Sequence, residues 1–271
     1  MMNYILIIPD IHGRIFWKEP CKEFRGEHIV FLGDYLDPYK HQDISEKTAL
    51  ENFKEILEFK KNNKDLVTLL LGNHDLHYKD MFKDVYRVRF CYSIAEEAKQ
   101  LFENNKENFQ IAYEITVDNT KILFTHAGVT ENWLKVIHNE IPCRPWRNRM
   151  LGDYSPDLVL PVEPNAESLN NLLTTEEGLI DLWMVSEERG GIYNFGSPIW
   201  AHISEHLECP ALKGIYQIFG HTISFPEEMK PWITDEYAMI DAQQCFVLAY
   251  DDKTFRLLKY SEYKNEVEQR T

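Results

Sequence analysis

Hydrophobic and polar positions along this chain fall into a repeated unit: a short apolar run that ends on a turn rich in Gly, Asp, Asn and His. Residues 4–8 lead into Pro9-Asp10-Ile11-His12-Gly13, and residues 28–32 into Gly33-Asp34-Tyr35-Leu36-Asp37. Leu69-Leu70-Leu71 leads into Gly72-Asn73-His74-Asp75, residues 121–124 into Thr125-His126-Ala127-Gly128, and residues 215–219 into Gly220-His221-Thr222. Apolar runs this short, bounded by turn residues, read as buried strands rather than helices. Open α/β sheets bind ligands at the carboxyl ends of their strands, so the five tips are expected to converge. Packing gives no reason for five strands each to end in Asp, Asn or His. Together they read as a two-metal site.

Between the strands the period changes. Residues 43–61 carry Leu50, Phe53, Ile56 and Leu57 on one face, the spacing of an amphipathic helix. That helix can be the crossover between the second and third strands of a parallel βαβ unit. Residues 15–26 read as irregular or briefly helical, residues 130–138 as a short helix, and residues 93–102 as a helix with Ser93 and Glu96 placed as a capping box. Residues 109–117 and 121–124 flank Asp118-Asn119-Thr120 as a hairpin, and residues 237–241, 245–250 and 254–260 read as a β-meander. From 141 to 210 prolines cluster and Glu187-Glu188-Arg189-Gly190-Gly191 signals a loop, with residues 165–177 helical. That stretch reads as an insertion or cap within one domain spanning 1–271. Parallel βα units early and antiparallel strands late require two sheets with helices outside them, an α/β (α+β) arrangement.

Composition narrows the function. The chain has 271 residues, 44 Asp+Glu against 29 Lys+Arg and a formal charge of −15. Such an acidic balance argues against nucleic acid as a partner, because backbone-driven binding needs a basic footprint. Five scattered cysteines without a C-x-x-C argue against a disulfide framework and a zinc–thiolate site, and point to a reduced, cytoplasmic setting. Residues 4–8 lack a preceding basic region and read as a strand rather than a signal peptide. No apolar run approaches the roughly 20 residues needed to span a bilayer, so no membrane partner is expected. The sequence sets no oligomeric state.

Asp10-x-His12-Gly13, Gly33-Asp34-x-x-Asp37, Gly72-Asn73-His74-Asp75, His126-Ala127-Gly128 and Gly220-His221-Thr222 occur in the order used by calcineurin-like metallophosphoesterases. The resemblance runs from about residue 4 to residue 241. Asp10-x-His12-Gly13-Arg14, Ser197-Pro198-Ile199-Trp200 and Met239-Ile240-Asp241 are most similar to the phosphoprotein-phosphatase and diadenosine-tetraphosphatase branch. The resemblance implies a four-layer αββα sandwich around two divalent metal ions. Mixed carboxylate, imidazole and amide ligands suit Mn, Fe, Zn or Co. It further implies that Asp10 and His12 bind the first metal, that Asp34 bridges both, and that Asn73, His126 and His221 complete the second. His74 matches the family's general acid, with Asp37 orienting it and keeping it protonated. Metals about 3.5–4 Å apart lower the pKa of a bridging water, whose hydroxide attacks phosphorus directly.

Two departures stand out. Ile223 occupies the position of a further histidine in the commoner diesterase pattern, as in the phosphoprotein-phosphatase branch. The phosphate-clamping Arg that follows the Asp matching Asp37 in the phosphoprotein phosphatases is here Pro38, and Tyr39 comes next. Guanidinium pairs bidentately with phosphate oxygens, so the clamp is sought among Arg14, Arg144, Arg147, Arg149 and Arg189, with Arg14, Arg147 and Arg149 carried as substrate-binding candidates. His28, His41, His77, His138, His202 and His206 read as surface or structural, and Trp183 and Trp200 as core. The leading expectation is a phosphomonoesterase acting on phosphoprotein or a small phosphorylated molecule. Hydrolysis of dinucleoside polyphosphates or phosphodiesters is the alternative, and a non-catalytic scaffold on the same fold is a remote third.

Overall fold

The structure is a computed structural model that describes residues 2–78, 89–138, 140, 162–223 and 225–269 of the chain. Strand β1 (Asn3–Ile8) shows how the molecule is layered. Tyr4, Leu6 and Ile8 join one core cluster while Ile5 and Ile7 join another. A strand buried on both faces must be apolar at every position, which explains the unbroken run. After helix α1 (Lys18–Glu23) come β2 (His28–Phe31), α2 (Glu46–Asn62) and β3 (Val67–Leu70). β1, β2 and β3 pair in parallel, so β2–α2–β3 is the expected crossover unit. Ser45 caps α2 by accepting from Thr48 N at 3.0 Å, and Leu50, Phe53, Ile56 and Leu57 all face the core.

A one-turn helix, α3 (Asn73–Leu76), follows β3 directly, and α4 (Ala95–Asn104) leads to β4 (Phe109–Gln110). Then come β5 (Ala112–Val117), β6 (Thr120–Thr125), α5 (Glu131–Ile137), β7 (Ile215–Phe219), β8 (Trp232–Ile233), β9 (Tyr237–Met239), β10 (Phe246–Tyr250) and β11 (Phe255–Lys259). One mixed sheet has the order β11-β10-β1-β2-β3-β4 and the other β5-β6-β7-β9-β8. Their facing sides share one cluster, in which Ile5, Val30 and Leu70 meet Ile122, Phe124 and Ile218. α2 packs outside the first sheet, and residues of helix Ile203–Glu208 pack on Phe219, Tyr237 and Met239 outside the second. This is the αββα sandwich.

Several local expectations need correction. Residues 109–117 are not one strand: β4 pairs with β3 in the first sheet, and after Ile111 the chain crosses to the second as β5. The tail is not a single meander either, because β9 lies in the second sheet and β10–β11 in the first. Ser93 does not cap α4; its hydroxyl donates to Glu46 across the surface, and the helix begins after a 3₁₀ turn over Tyr92–Ile94. Residues 165–177 hold two helix starts rather than one helix, capped by Asn165 and Thr175, because the Thr175 side chain accepts from Gly178 N and begins a new helix. The hairpin is as expected, with Asp118 at φ +52° in a tight turn where Val117 pairs with Thr120. Residues 141–161 of the anticipated insertion lie outside the described residues. Among the described residues no helix is long and apolar enough to cross a membrane, and Cys21, Cys91, Cys209 and Cys245 are free and buried.

Candidate metal centre

The carboxyl ends of β1, β2, β3, β6 and β7 deliver Asp10 and His12, Asp34 and Asp37, Asn73 and His74, His126, and His221 to one place. Their backbones are bent to do so. His12, Asp34, Asp37 and His221 all hold positive φ (44°, 54°, 60° and 66°), a conformation costing roughly 1–2 kcal/mol for a residue with a Cβ. Strain of this kind gathers where side chains must be aimed. Glycine is required at 72 and 220 by close approach: a Cβ there would stand 2.1 Å from Asp34 Oδ1 and 2.2 Å from Asp10 Oδ1. Asp75 locks two of the loops together, accepting from Gly72 N (2.8 Å) and Asp34 N (2.7 Å) on Oδ2 and from Tyr35 N (2.9 Å) on Oδ1.

The imidazoles are oriented from behind. His12 Nδ1 lies 2.8 Å from Leu36 O and His126 Nδ1 2.8 Å from Leu32 O. A carbonyl can only accept, so each Nδ1 carries the proton and each Nε2 turns a lone pair inward. Both Nε2 atoms stand 3.5 Å from the same oxygen, Asp34 Oδ2. His126 Nε2 is also 3.0 Å from His221 Nδ1 and 3.1 Å from Asn73 Oδ1. Several lone-pair donors thus face one another at hydrogen-bond distance, an arrangement that a cation between them satisfies. Potential ligand atoms of Asp34, His126 and His221 lie within 4.8 Å of one another, as do those of His12, Asp34 and His74, and Asp34 belongs to both sets. Asp10, 1% exposed, accepts from His221 N at 3.0 and 3.1 Å.

Charge follows from burial. His12 and His221 are pushed well below the usual histidine range, chiefly by loss of water, and so stay neutral and able to donate a lone pair. Burial alone would raise the Asp34 carboxyl, but His126, His74 and His12 together hold it below its ordinary value. Asp10 is raised, first by burial and then by the Asp34 charge. The residues present fit a pair of divalent cations.

Beside this cluster, His74 Nδ1 is 2.7 Å from Asp37 Oδ2, and Asp37 Oδ1 accepts from Tyr78 Oη and from Cys91 N at 3.2 Å. Burial depresses the His74 pKa, but Asp34 and Asp37 outweigh it and leave the pKa raised. The other ring nitrogen, Nε2, lies 3.1 Å from Arg89 Nη2. A guanidinium has no acceptor, so Arg89 donates and Nε2 accepts.

The calcineurin-like phosphoesterase family model matches residues 4–225. The chain belongs to that family. Among solved structures, a cold-active protein tyrosine phosphatase is 16% identical, covering 94% of this chain and 78% of that one with a TM-score of 0.48. A protein serine/threonine phosphatase from Saccharomyces cerevisiae with similarity to human phosphatase PP5 is 14% identical, covering 95% and 80% with a TM-score of 0.45. A metallophosphoesterase from Sphaerobacter thermophilus is 19% identical over 46% of this chain and 47% of that one, with a TM-score of 0.30.

For a phosphoesterase the cations in the site matter as much as the ligands. Arg14, a substrate-binding candidate, is buried and turned onto its own loop, with Nη2 donating to Asp10 O at 2.6 Å and Nε to Ile11 O at 3.1 Å. Arg189 is half-buried and donates to Thr222 Oγ1; burial lowers its pKa against the pull of Asp10. Arg144, Arg147 and Arg149 lie outside the described residues. His77 is buried and stacked on Trp183 with ring centroids 5.2 Å apart. It forms a third set with Asp37 and His74, so it reaches the edge of the site. Sequence reasoning missed Arg89 altogether. The absence of Arg at position 38 signalled that a cation was owed, but no periodicity located it.

Proposed function

We propose that the protein is a phosphoric monoester hydrolase that works with two divalent cations, of Mn, Fe, Zn or Co type, on a phosphoprotein or a small phosphorylated molecule. The observation that carries this reading is the Asp34 carboxylate, shared by the His12 and His126–His221 sets and flanked by the His74–Asp37 pair. In it, Asp10 and His12 would hold one cation and Asn73, His126 and His221 the other, with Asp34 placed to serve both. When bound, such a pair supplies an ionised water at neutral pH and offsets charge on the phosphoryl oxygens. The protein's own part is positioning and proton delivery. Asp37 holds the His74 ring and favours its charged form, and His74 Nε2 gives a proton to the departing alkoxide. Four buried free thiols support a reducing, cytoplasmic setting.

The test is phosphate release with Mn²⁺ from a phosphoserine peptide, diadenosine tetraphosphate and bis-p-nitrophenyl phosphate. Turnover of the monoester alone is expected. Turnover of the tetraphosphate or the diester instead would replace the monoesterase reading with its alternative. Metal-loaded protein inert on all three would mean a non-catalytic scaffold.

A further inference from the structure

Arg89 stands at the mouth of the site, half-buried, with its guanidinium 3.6 Å above the Tyr39 ring. That ring is itself edge-on to His12 at 5.0 Å. Nη1 donates to Asp37 O at 3.2 Å while Nη2 donates to His74 Nε2 at 3.1 Å. The Arg89 backbone has φ +60°, matching Asp37 and close to Asp34 and His221. Only Gly adopts that conformation freely, and a long side chain, unlike Asp or Asn, has no local hydrogen bond to offset part of the cost. Arg89 therefore shares the strained geometry of the residues that build the centre, and its side chain is held flat by an aromatic face. Its partners here are neutral acceptors. A phosphoryl group offers charged oxygens that a guanidinium meets with two parallel hydrogen bonds, each about twice as strong as a neutral one.

We propose that Arg89, on its Tyr39 platform, binds the phosphoryl oxygens of the substrate and takes the place of a clamp at position 38. The proposal rests on the phosphoesterase reading above. On binding, Nη2 exchanges His74 Nε2 for a phosphoryl oxygen. While Nε2 accepts from Arg89 it carries no proton and cannot face a leaving group; once the exchange frees it, Nε2 takes a proton from solvent and stands in line with the ester oxygen. Arg89 thus couples capture of the phosphoryl group to protonation and exposure of His74 Nε2. Tyr39 is a positioning residue in this scheme.

The experiment is calorimetric titration of the Mn²⁺-loaded full chain with inorganic phosphate, beside steady-state kinetics on p-nitrophenyl phosphate and elemental analysis of metal. R89A is expected to weaken phosphate binding about 10²- to 10⁴-fold, the loss of two charge-assisted hydrogen bonds, with a matching rise in KM and unchanged metal content. R89K should recover only part, since ammonium lacks the fork, and Y39A should fall between wild type and R89A while Y39F stays near wild type. If R89A misfolds by circular dichroism, R89Q keeps the shape without the charge and gives the same reading. Phosphate binding within twofold of wild type in R89A or R89Q would overturn the clamp and leave the hydrolase reading standing. Arg89-dependent phosphate binding without turnover of any ester would do the reverse. Metal-loaded wild type that binds no phosphate would sink both.

Discussion

Asp34 meets both inward-facing imidazoles with one oxygen, Oδ2, while Oδ1 accepts from His74 N at 3.0 Å. Replacing it by Asn leaves a neutral group with half the acceptor capacity, so D34N should lose most bound metal; full occupancy by elemental analysis would count against the bridging role. His74 gives a sharper kinetic signature. H74A should cut turnover of alkyl phosphates about 10²- to 10⁴-fold, the usual worth of general acid catalysis, yet barely affect p-nitrophenyl phosphate, whose leaving group needs little protonation. Equal losses on both would remove the assignment. Because Asp34 and Asp37 raise the His74 pKa against the effect of burial, the acid form persists to higher pH than in a free imidazole and is lost as pH rises through the shifted value. Turnover of alkyl phosphates should therefore fall along the alkaline limb, and H74A should abolish that limb. At this scale Asp10, His12, Asp34, His74 and His221 were legible because each follows a strand at a fixed offset. Arg89 was not, since it arrives from a stretch with no hydrophobic rhythm and is fixed by Tyr39, Asp37 and His74 in three dimensions.

Loops that end strands hold the centre, and Asp75 ties two of them. Its carboxylate takes three backbone N–H groups from residues on either side of the β2 and β3 tips. D75A would strand those donors in a dry interior at about 1–3 kcal/mol each, so a loss of at least 3 kcal/mol is expected in denaturant unfolding, together with weaker metal binding. D75N, which keeps the shape and one acceptor, should lose less. A spectrum of D75A melts indistinguishable from wild type would show that the loops hold by other means. Among the elements, α2 was readable from its apolar stripe and Ser45, because one buried face dictates the 3.6-residue period. The boundary at Ile111 was not, because no turn residue marks it and only the choice of partner strand distinguishes β4 from β5. Ser93 failed as a cap for the opposite reason: a capping pattern is local, and a 3₁₀ turn over Tyr92–Ile94 moves the helix start to Ala95, leaving the Ser93 hydroxyl to donate to Glu46 on a distant element.

Over the whole molecule a charge of −15 surrounds a site meant for an anion. Approach of a dianionic substrate is therefore opposed at long range, and the opposition is screened within about 10 Å at 0.1 M salt. kcat/KM for an acidic phosphopeptide should rise as ionic strength goes from 0.01 to 0.15 M, then fall once the proposed contact to Arg89 is weakened in turn; a monotonic decline would mean local cations dominate the encounter. The architecture was legible at this scale because two-face burial, crossover helices and late antiparallel strands admit few arrangements. The crossings between sheets were not, since they depend on pairings far apart in the chain. One of those pairings has a consequence for biogenesis. β1 sits between β2 and β10, with Ile7 opposite Phe246, so a ribosome must finish nearly the whole chain before the first strand gains its second neighbour. Until then its backbone amides face water or a chaperone, and any nascent product stalled before residue 246 presents an apolar, unsatisfied edge of the kind that templates aggregation.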